Sequence, residues 1–299
     1  MDNRSDIRDF LASRRARITP EQAGLLPGGG RRRVPGLRRE EVAVLAGVST
    51  DWYTRLEKGH IAGVSEDVLE AVARALQLDE AERTYLFDLA RAAARPTRAP
   101  QRRTRAAIQP RVQWMLDSMT GSAAFVANGR LDILATNTLG WALHSPVFDG
   151  PRRPANFARF QFLDPQAHDY YRDWASAANI TVALLRAEAG RRPYDTQLRE
   201  LVGELSTVSE EFRTRWAAHD VRIHHNGAKH FHHPVVGALD LNYCTLDLPT
   251  EDRSDLRLTI YTAEPQSASE DGLKLLASWA ATNAAPTAGD RAAPATDRA

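Results

Sequence analysis

Residues 37–59 read LRREEVAVLAGVSTDWYTRLEKG, and the placing of apolar and helix-breaking residues within them predicts helix, tight turn, helix. Leu37, Val42, Leu45 and Ala46 recur at the spacing of one helical face, with Arg38, Arg39, Glu40 and Glu41 on the solvated remainder. Gly47 stops that helix, because glycine takes the left-handed conformation at low steric cost, and Ala43 is small enough for a second helix to cross closely above it. Ser49 is a ready N-cap for the second helix. Trp52, Tyr53 and Leu56 then turn inward, leaving Ser49, Thr50, Asp51, Thr54 and Arg55 on an outward polar face. In a helix-turn-helix the N-terminal half of the second helix enters the DNA major groove, where short polar side chains and arginine meet base edges. The competing reading is an αα-hairpin whose polar face meets water.

Working outward, Ile7 to Ile18 reads as a preceding helix with Phe10 and Leu11 opposite Arg14, Arg15 and Arg17, ended by Thr19 and Pro20. Between it and the central stretch lies GGGRRRVPG, in which Arg31, Arg32 and Arg33 form a basic arm suited to DNA phosphates or the minor groove. Ser65 caps a helix from Glu66 to Leu76. Asp79 begins another that runs to Ala94. Five helices thus make an all-α domain over residues 1–94, with Arg38, Arg39, the outward face and the arm as its DNA-facing residues. Residues 95–110, RPTRAPQRRTRAAIQP, lack periodicity and read as a linker.

Composition bounds the class. The 299 residues are 43% hydrophobic and 26% charged, enough for two separate cores. No apolar run reaches the length of a membrane span, and the N-terminus lacks the apolar core of a signal peptide. Cys244 is the sole cysteine, so no internal disulfide forms, which fits a cytoplasmic protein. The net charge of +1 hides an asymmetry: residues 1–105 carry 20 Lys plus Arg against 15 Asp plus Glu, and the remainder is acidic. The basic half holds the central stretch, as a phosphate-binding module would.

Past residue 111 the texture changes. AAFVAN and LDILATN flank Gly129-Arg130 as a hairpin, a helical stretch follows from Thr138 to His219, and alternation returns in VRIHH, AKHFHH, GALDLNYCTLDL and LRLTIYTAE. Residues 269–281 form a last helix. Two strands, several helices, then three or more strands predict an α+β domain over residues 111–281 with one antiparallel sheet. The tail, residues 282–299, is low in complexity and reads as disordered.

GVSTDWYTRLEKG resembles the xenobiotic-response-element type of bacterial repressor domain. That resemblance implies a structural pair between a basic residue late in the first helix and the glutamate closing the recognition helix, here Arg15 and Glu57. RRRVPGLRREEVAVLAGVSTDWYTRLEKGH and AVARALQLDEAERTYLFDLA, with NFARFQFLDP, YYRDW, TVALLRAEAGR, LVGELSTVSEEFRTRWAAHDV and HHPVVGALDLNYCTL, resemble the MmyB-like family of transcription regulators from about Asp6 to Ala281. The resemblance implies a repressor-type helix-turn-helix joined to a PAS-like domain whose cavity holds a fatty-acid-like small molecule.

The residues themselves offer two ligand readings. In NFARFQF, Asn156 and Arg159 stand among aromatics that include Phe162; an arginine fork suits a carboxylate, with Trp174 lining an acyl chain and Arg186 as a second cation. Alternatively these aromatics are core and Arg159 is a surface charge. The histidines at 224, 225, 230, 232 and 233 allow a metal-responsive alternative, since His230 and His232 share a strand face. No nucleophile elbow, P-loop or His-Glu-x-x-His is present, so the chain reads as no enzyme and calls for no cofactor. The expectation is a homodimeric regulator of double-stranded DNA controlled by an apolar small molecule, dimeric because two recognition helices read a palindrome. The rival is a tethering module without a ligand.

Overall fold

The computed structural model describes residues 3–25, 34, 36–94, 108–218, 226–249 and 256–283. The arm with Arg31, Arg32 and Arg33, the strand expected at 221–225 and the tail beyond 283 lie outside them. Among the described residues no helix is long and apolar enough to cross a membrane.

Two compact units share the chain, and neither is a single segment. The first takes residues 1–101 together with 186–203 and 214–223; the second takes 102–185, 204–213 and 224–299. In the first, α1 (Asn3–Arg17), α2 (Arg39–Ala46), α3 (Thr50–Glu57), α4 (Glu66–Ala75) and α5 (Glu80–Ala94) surround one core. Ile7, Phe10, Val42, Ala43, Tyr53, Leu56, Leu69, Val72 and Leu86 fill it, with Phe10 meeting Tyr85 edge to face at 5.1 Å. Gly47 stands at φ 67° after α2, so the turn uses the left-handed geometry that only glycine adopts freely. Ser49 caps α3 through its hydroxyl, which accepts from the Trp52 N–H at 3.1 Å. Ser65 occupies the cap position of α4 without a side-chain capping bond.

One expectation fails on α1. Arg14 was placed on the solvated face, yet it is only 2% exposed: its guanidinium lies 4.9 Å from the Phe10 ring centroid and pairs with Glu82 at 2.9 Å. The reason is the helical period, which sets residues four apart on one face and lets a long stem cover apolar surface once its head meets a carboxylate. Leu45, expected in the apolar face, is half-buried, and its neighbour Val44 is exposed.

In the second unit α6 (Pro110–Ser118) precedes a hairpin of β1 (Ala123–Asn128) and β2 (Ile133–Thr136). The chain then passes through α7 (Thr138–Leu143), α8 (Ser145–Phe148), α9 (Phe157–Leu163), α10 (Gln166–Tyr170), α11 (Trp174–Arg191), α12 (Thr196–Val208) and α13 (Glu210–Ala217), of which residues 186–203 and those from 214 onward belong to the first unit. It returns as β3 (Asn226–His233), β4 (Gly237–Leu248) and β5 (Leu256–Thr262), and ends in α14 (Ala268–Thr282). The five strands form one antiparallel sheet in the order β2-β1-β5-β4-β3. This is the α+β architecture that the alternation implied.

Because side chains alternate across a sheet, its two faces differ. Ala124, Val126 and Leu258 turn to one side and pack with Leu116 of α6. Phe125, Phe231, Leu239, Leu241 and Tyr261 turn to the other, beneath α7, α10 and α14. Asn137 ties the hairpin to the helices. Its Oδ1 accepts from the N–H groups of Ala124 (2.9 Å) and Gly140 (2.7 Å), and its Nδ2 donates to the carbonyls of Met119 (2.6 Å) and Ser122 (2.7 Å). Gly140 stands so close to the Ala124 carbonyl that a Cβ would overlap it. Asn137→Ala, which strands these groups, is expected to cost about 3 kcal/mol or more, read as a lowered urea midpoint.

Candidate functional site

The outward face of α3 is built by what holds α3 from beneath. Glu57, its last residue, is 1% exposed. Arg15 donates to both of its oxygens, Nε to Oε2 at 3.0 Å and Nη2 to Oε1 at 2.9 Å, while Arg39 donates to Oε1 through Nη2 at 3.0 Å and Nε at 3.2 Å. The Arg15 Nη1 also donates to the Leu37 carbonyl at 2.8 Å. One carboxylate therefore joins α1, the entry to α2 and α3. Burial by itself raises the Glu57 pKa, but the hydrogen bonds from Arg15 and then Arg39 outweigh it and hold the carboxyl below the usual carboxylate range. The Arg15 pKa is raised in turn by its bond to Glu57.

With α3 so placed, Thr50, Asp51 and Arg55 are exposed and Thr54 is half-buried. Ser49 is exposed but spends its hydroxyl on the cap. Arg55 edges a surface hollow of about 370 Å³ between α3 and the start of α4, with Trp52, His60 and Ser65. Arg38 is exposed, 3.3 Å from Glu40. Arg39, read from the sequence as facing DNA, places its guanidinium on Glu57. The pairing of Arg15 with Glu57 was legible; the second cation was not, because Arg39 follows Arg38 in a run that looks uniformly solvated.

The ligand candidates of the second unit part company. Asn156 is buried and fully used: it caps α9 by accepting from the Arg159 N–H at 3.0 Å and donates to the Arg130 carbonyl (2.9 Å) and Asp132 Oδ1 (2.8 Å). Arg159 donates from Nε and Nη2 to one Glu204 oxygen at 3.0 and 2.9 Å, and Arg152 takes the other. Phe162 lies edge-on to Trp174 and Phe212. Trp174 stacks on His168 at 4.1 Å and donates through Nε1 to the Gln161 carbonyl. Arg159, Phe162 and Trp174 thus belong to one polar and aromatic neighbourhood around α9. Arg186 belongs to the first unit, buried over the Trp216 ring at 4.2 Å and donating to the Trp216 carbonyl.

The histidines also separate. His230 and His232 face outward, with His230 Nδ1 2.6 Å from Asp240 Oδ1. His233 is buried, its Nε2 3.0 Å from the Ala142 carbonyl and its Nδ1 accepting from the Val235 N–H. His224 and His225 lie outside the described residues. Among the described residues no group of three His, Cys, Asp or Glu side chains converges.

A cluster that sequence reading missed lies on the inner face of the sheet. His144, at the end of α7, is 1% exposed and ringed by Phe125, Phe157, Phe231 and Tyr261 at 4.9–6.0 Å. Its Nδ1 is 3.1 Å from the Tyr170 hydroxyl, which donates to the Leu143 carbonyl at 2.7 Å; Nε2 has no partner. Desolvation, with smaller repulsion from Lys229 and His233, pushes the imidazole well below its ordinary pKa, so it is neutral. Lys229 of β3 lies 5.5 Å over the Tyr171 ring. The available signal was strand alternation, which sets Lys229, Phe231 and His233 on one face.

Comparison with known families gives two matches. The model described as MmyB-like transcription regulator ligand binding domain matches residues 108–276, and that described as Helix-turn-helix domain matches residues 7–86. No curated protein matches the chain.

The Glu57 cluster makes a pH-dependent prediction. A carboxyl whose folded pKa is depressed contributes stability that is present above its unfolded value and lost as pH falls through the folded one. Glu57→Gln is therefore expected to destabilise the protein by about 3 kcal/mol at neutral pH. Thermal melts of both proteins from neutral pH into the acid range should show that deficit shrinking below the ordinary carboxylate pKa; a constant deficit would show that the ionised carboxylate is not its source.

Proposed function

Because the chain belongs to the MmyB-like family of transcription regulators, we propose that it is a homodimeric, sequence-specific, cytoplasmic regulator whose affinity for double-stranded DNA is set by an apolar small molecule in its second domain. DNA binding and transcription regulation follow from the two matched domains; the reading of individual residues is ours. The observation that carries it is the exposed polar face of α3, held outward by the buried Glu57 cluster. Thr50, Asp51, Thr54 and Arg55 face base edges in the major groove, while Ser49 and Arg38 sit at the backbone. Arg39 acts behind them, by fixing the angle at which α3 is presented. Arg31, Arg32 and Arg33 bind phosphates without reading sequence.

Dimerisation follows from operator geometry: one short helix reads few base pairs, and two related by a two-fold axis read half-sites about 34 Å apart. A ligand regulates such a dimer only if it prefers one spacing of the two reading helices, and the coupling is then reciprocal. The apolar nature of the ligand rests on the aromatic inner face of the sheet, where Phe125, Phe157, Phe231 and Tyr261 gather. We read the protein as a regulator and not as an enzyme.

Fluorescence anisotropy on operator and random duplexes tests the face. Arg55→Ala and Thr50→Ala are each expected to lose about 1 to 3 kcal/mol on the operator and little on random DNA. Equal losses on both duplexes would reassign them to phosphate. Replacing Arg31, Arg32 and Arg33 together by alanine should lower affinity for both duplexes alike and flatten the log-log salt dependence by about 0.9 for each phosphate contact removed. An unchanged slope would remove the arm from the interface.

A further inference from the structure

Trp114 of α6 is 71% exposed, whereas the other five tryptophans of the chain are half-buried. The period of the helix puts it there. Leu116 points into the outer cluster of the sheet and is fully buried, with Val112, Met115 and Met119 half-buried beside it. Two residues along a helix turn the side chain by about 200°, so Trp114 projects almost straight away from the sheet that Leu116 enters. Gln113 pins α6 in that orientation, its Nε2 donating to the Thr136 carbonyl of β2 at 3.0 Å and to Asp117 Oδ1 at 2.8 Å.

The charges of α6 are arranged about that indole. Arg111 lies one turn before Trp114 and Asp117 one turn after it, and both are exposed. Residues three apart are neighbours on a helix surface, so the outward ridge reads cation, aromatic ring, anion. Asp117 makes no ion pair among the described residues; its printed partner is the uncharged Gln113. A ridge of that order is complementary to itself. Turned end for end by a two-fold axis at the ring, it sets Arg111 level with the partner's Asp117, and does so twice. A parallel copy would set like charges together.

The nine residues of α6 make a helix about 13 Å long, too short by itself for the roughly 800 Å² that each side of a stable interface contributes. The remainder lies on the same side of the sheet. Leu246 of β4, 49% exposed, stands opposite Leu258 of β5, which belongs to the outer cluster, and Ile260 is half-buried against that cluster. Cross-strand partners share a face, so apolar surface continues from the cluster under α6 across β5 to β4. We propose that α6, with the flank at Ile260 and Leu246, is the surface through which two copies of this chain associate. The two α6 helices pack antiparallel, with Trp114 at the axis and each Arg111 paired to the partner's Asp117. The assignment rests on the reading that the protein is a homodimer, and it places the interface on the second unit.

Analytical ultracentrifugation of the full-length chain over a concentration series measures the dimer Kd. The wild type is expected to sediment as a dimer. Trp114→Glu should raise Kd at least about thirtyfold, as loss of a central aromatic anchor does, and Leu246→Asp should raise it too. Arg111→Glu and Asp117→Arg each bring like charges together twice and should raise Kd about tenfold or more. Combining the two reversals restores opposite charges and should return Kd to within about threefold of the wild type. All four positions are exposed, so circular dichroism and thermal melts should show each variant folded like the wild type. A dimer that survives Trp114→Glu, or a loss in the single reversals that the combined reversal does not recover, removes this face from the interface and leaves the homodimer reading standing. A wild type that sediments as a monomer throughout the series overturns both. If Trp114→Glu fails to fold, the three charge variants decide.

Discussion

A single buried carboxylate governs the geometry of the first unit. Glu57 cannot be ionised in a protein core without compensation, because its desolvation costs several kcal/mol. Arg15 and Arg39 supply that compensation with four hydrogen bonds, and the Leu37 carbonyl occupies a remaining donor of Arg15. The consequence is positional. Hydrophobic packing of Tyr53 and Leu56 draws α3 onto the core but tolerates some rotation and sliding, whereas a bidentate arginine pair does not. The face that carries Thr50, Asp51 and Arg55 is presented at the angle that this pairing sets.

The second unit solves its polar problem differently. Asn137 satisfies four backbone groups where the hairpin turns into α7, and Asn156 satisfies two where the chain returns to α9, its Nδ2 also donating to Asp132. These bonds bring helices of the crossover against the sheet, whose inner face is a packed apolar core. Within that surface the accounting is incomplete. His144 Nε2 has no donor among the described residues, while the half-exposed Lys229 lies over the Tyr171 ring.

The contrast between neighbouring arginines shows where sequence reading stops. Arg14 and Arg15 are adjacent, and both looked solvated by helical period. Arg15 was nevertheless assigned to Glu57 because a recognised pattern carried the pairing, while Arg14 had no pattern and was misplaced. Arg39 was read with Arg38 as part of one charged face, although one turn of chain sends its guanidinium to Glu57. Asn156 looked like a polar group in an aromatic pocket and is an N-cap. In each case the side chain has more than one plausible partner, and the choice depends on what the fold brings near.

What the sequence alone determined is the local grammar: five helices with Gly47 and Ser49 between the central two, then a hairpin about Gly129, a helical crossover and three returning strands. These follow from period, caps and turn residues, all of which act within a few positions along the chain. Only the tertiary structure decided the strand order β2-β1-β5-β4-β3, the burial of Arg14, the second cation on Glu57, and the gathering of Phe125, Phe231 and Tyr261 around His144. The physical reason is that a charge's partner lies wherever the cores close. Residues 125, 144, 231 and 261 carry no trace of one another until the sheet closes these rings around the imidazole.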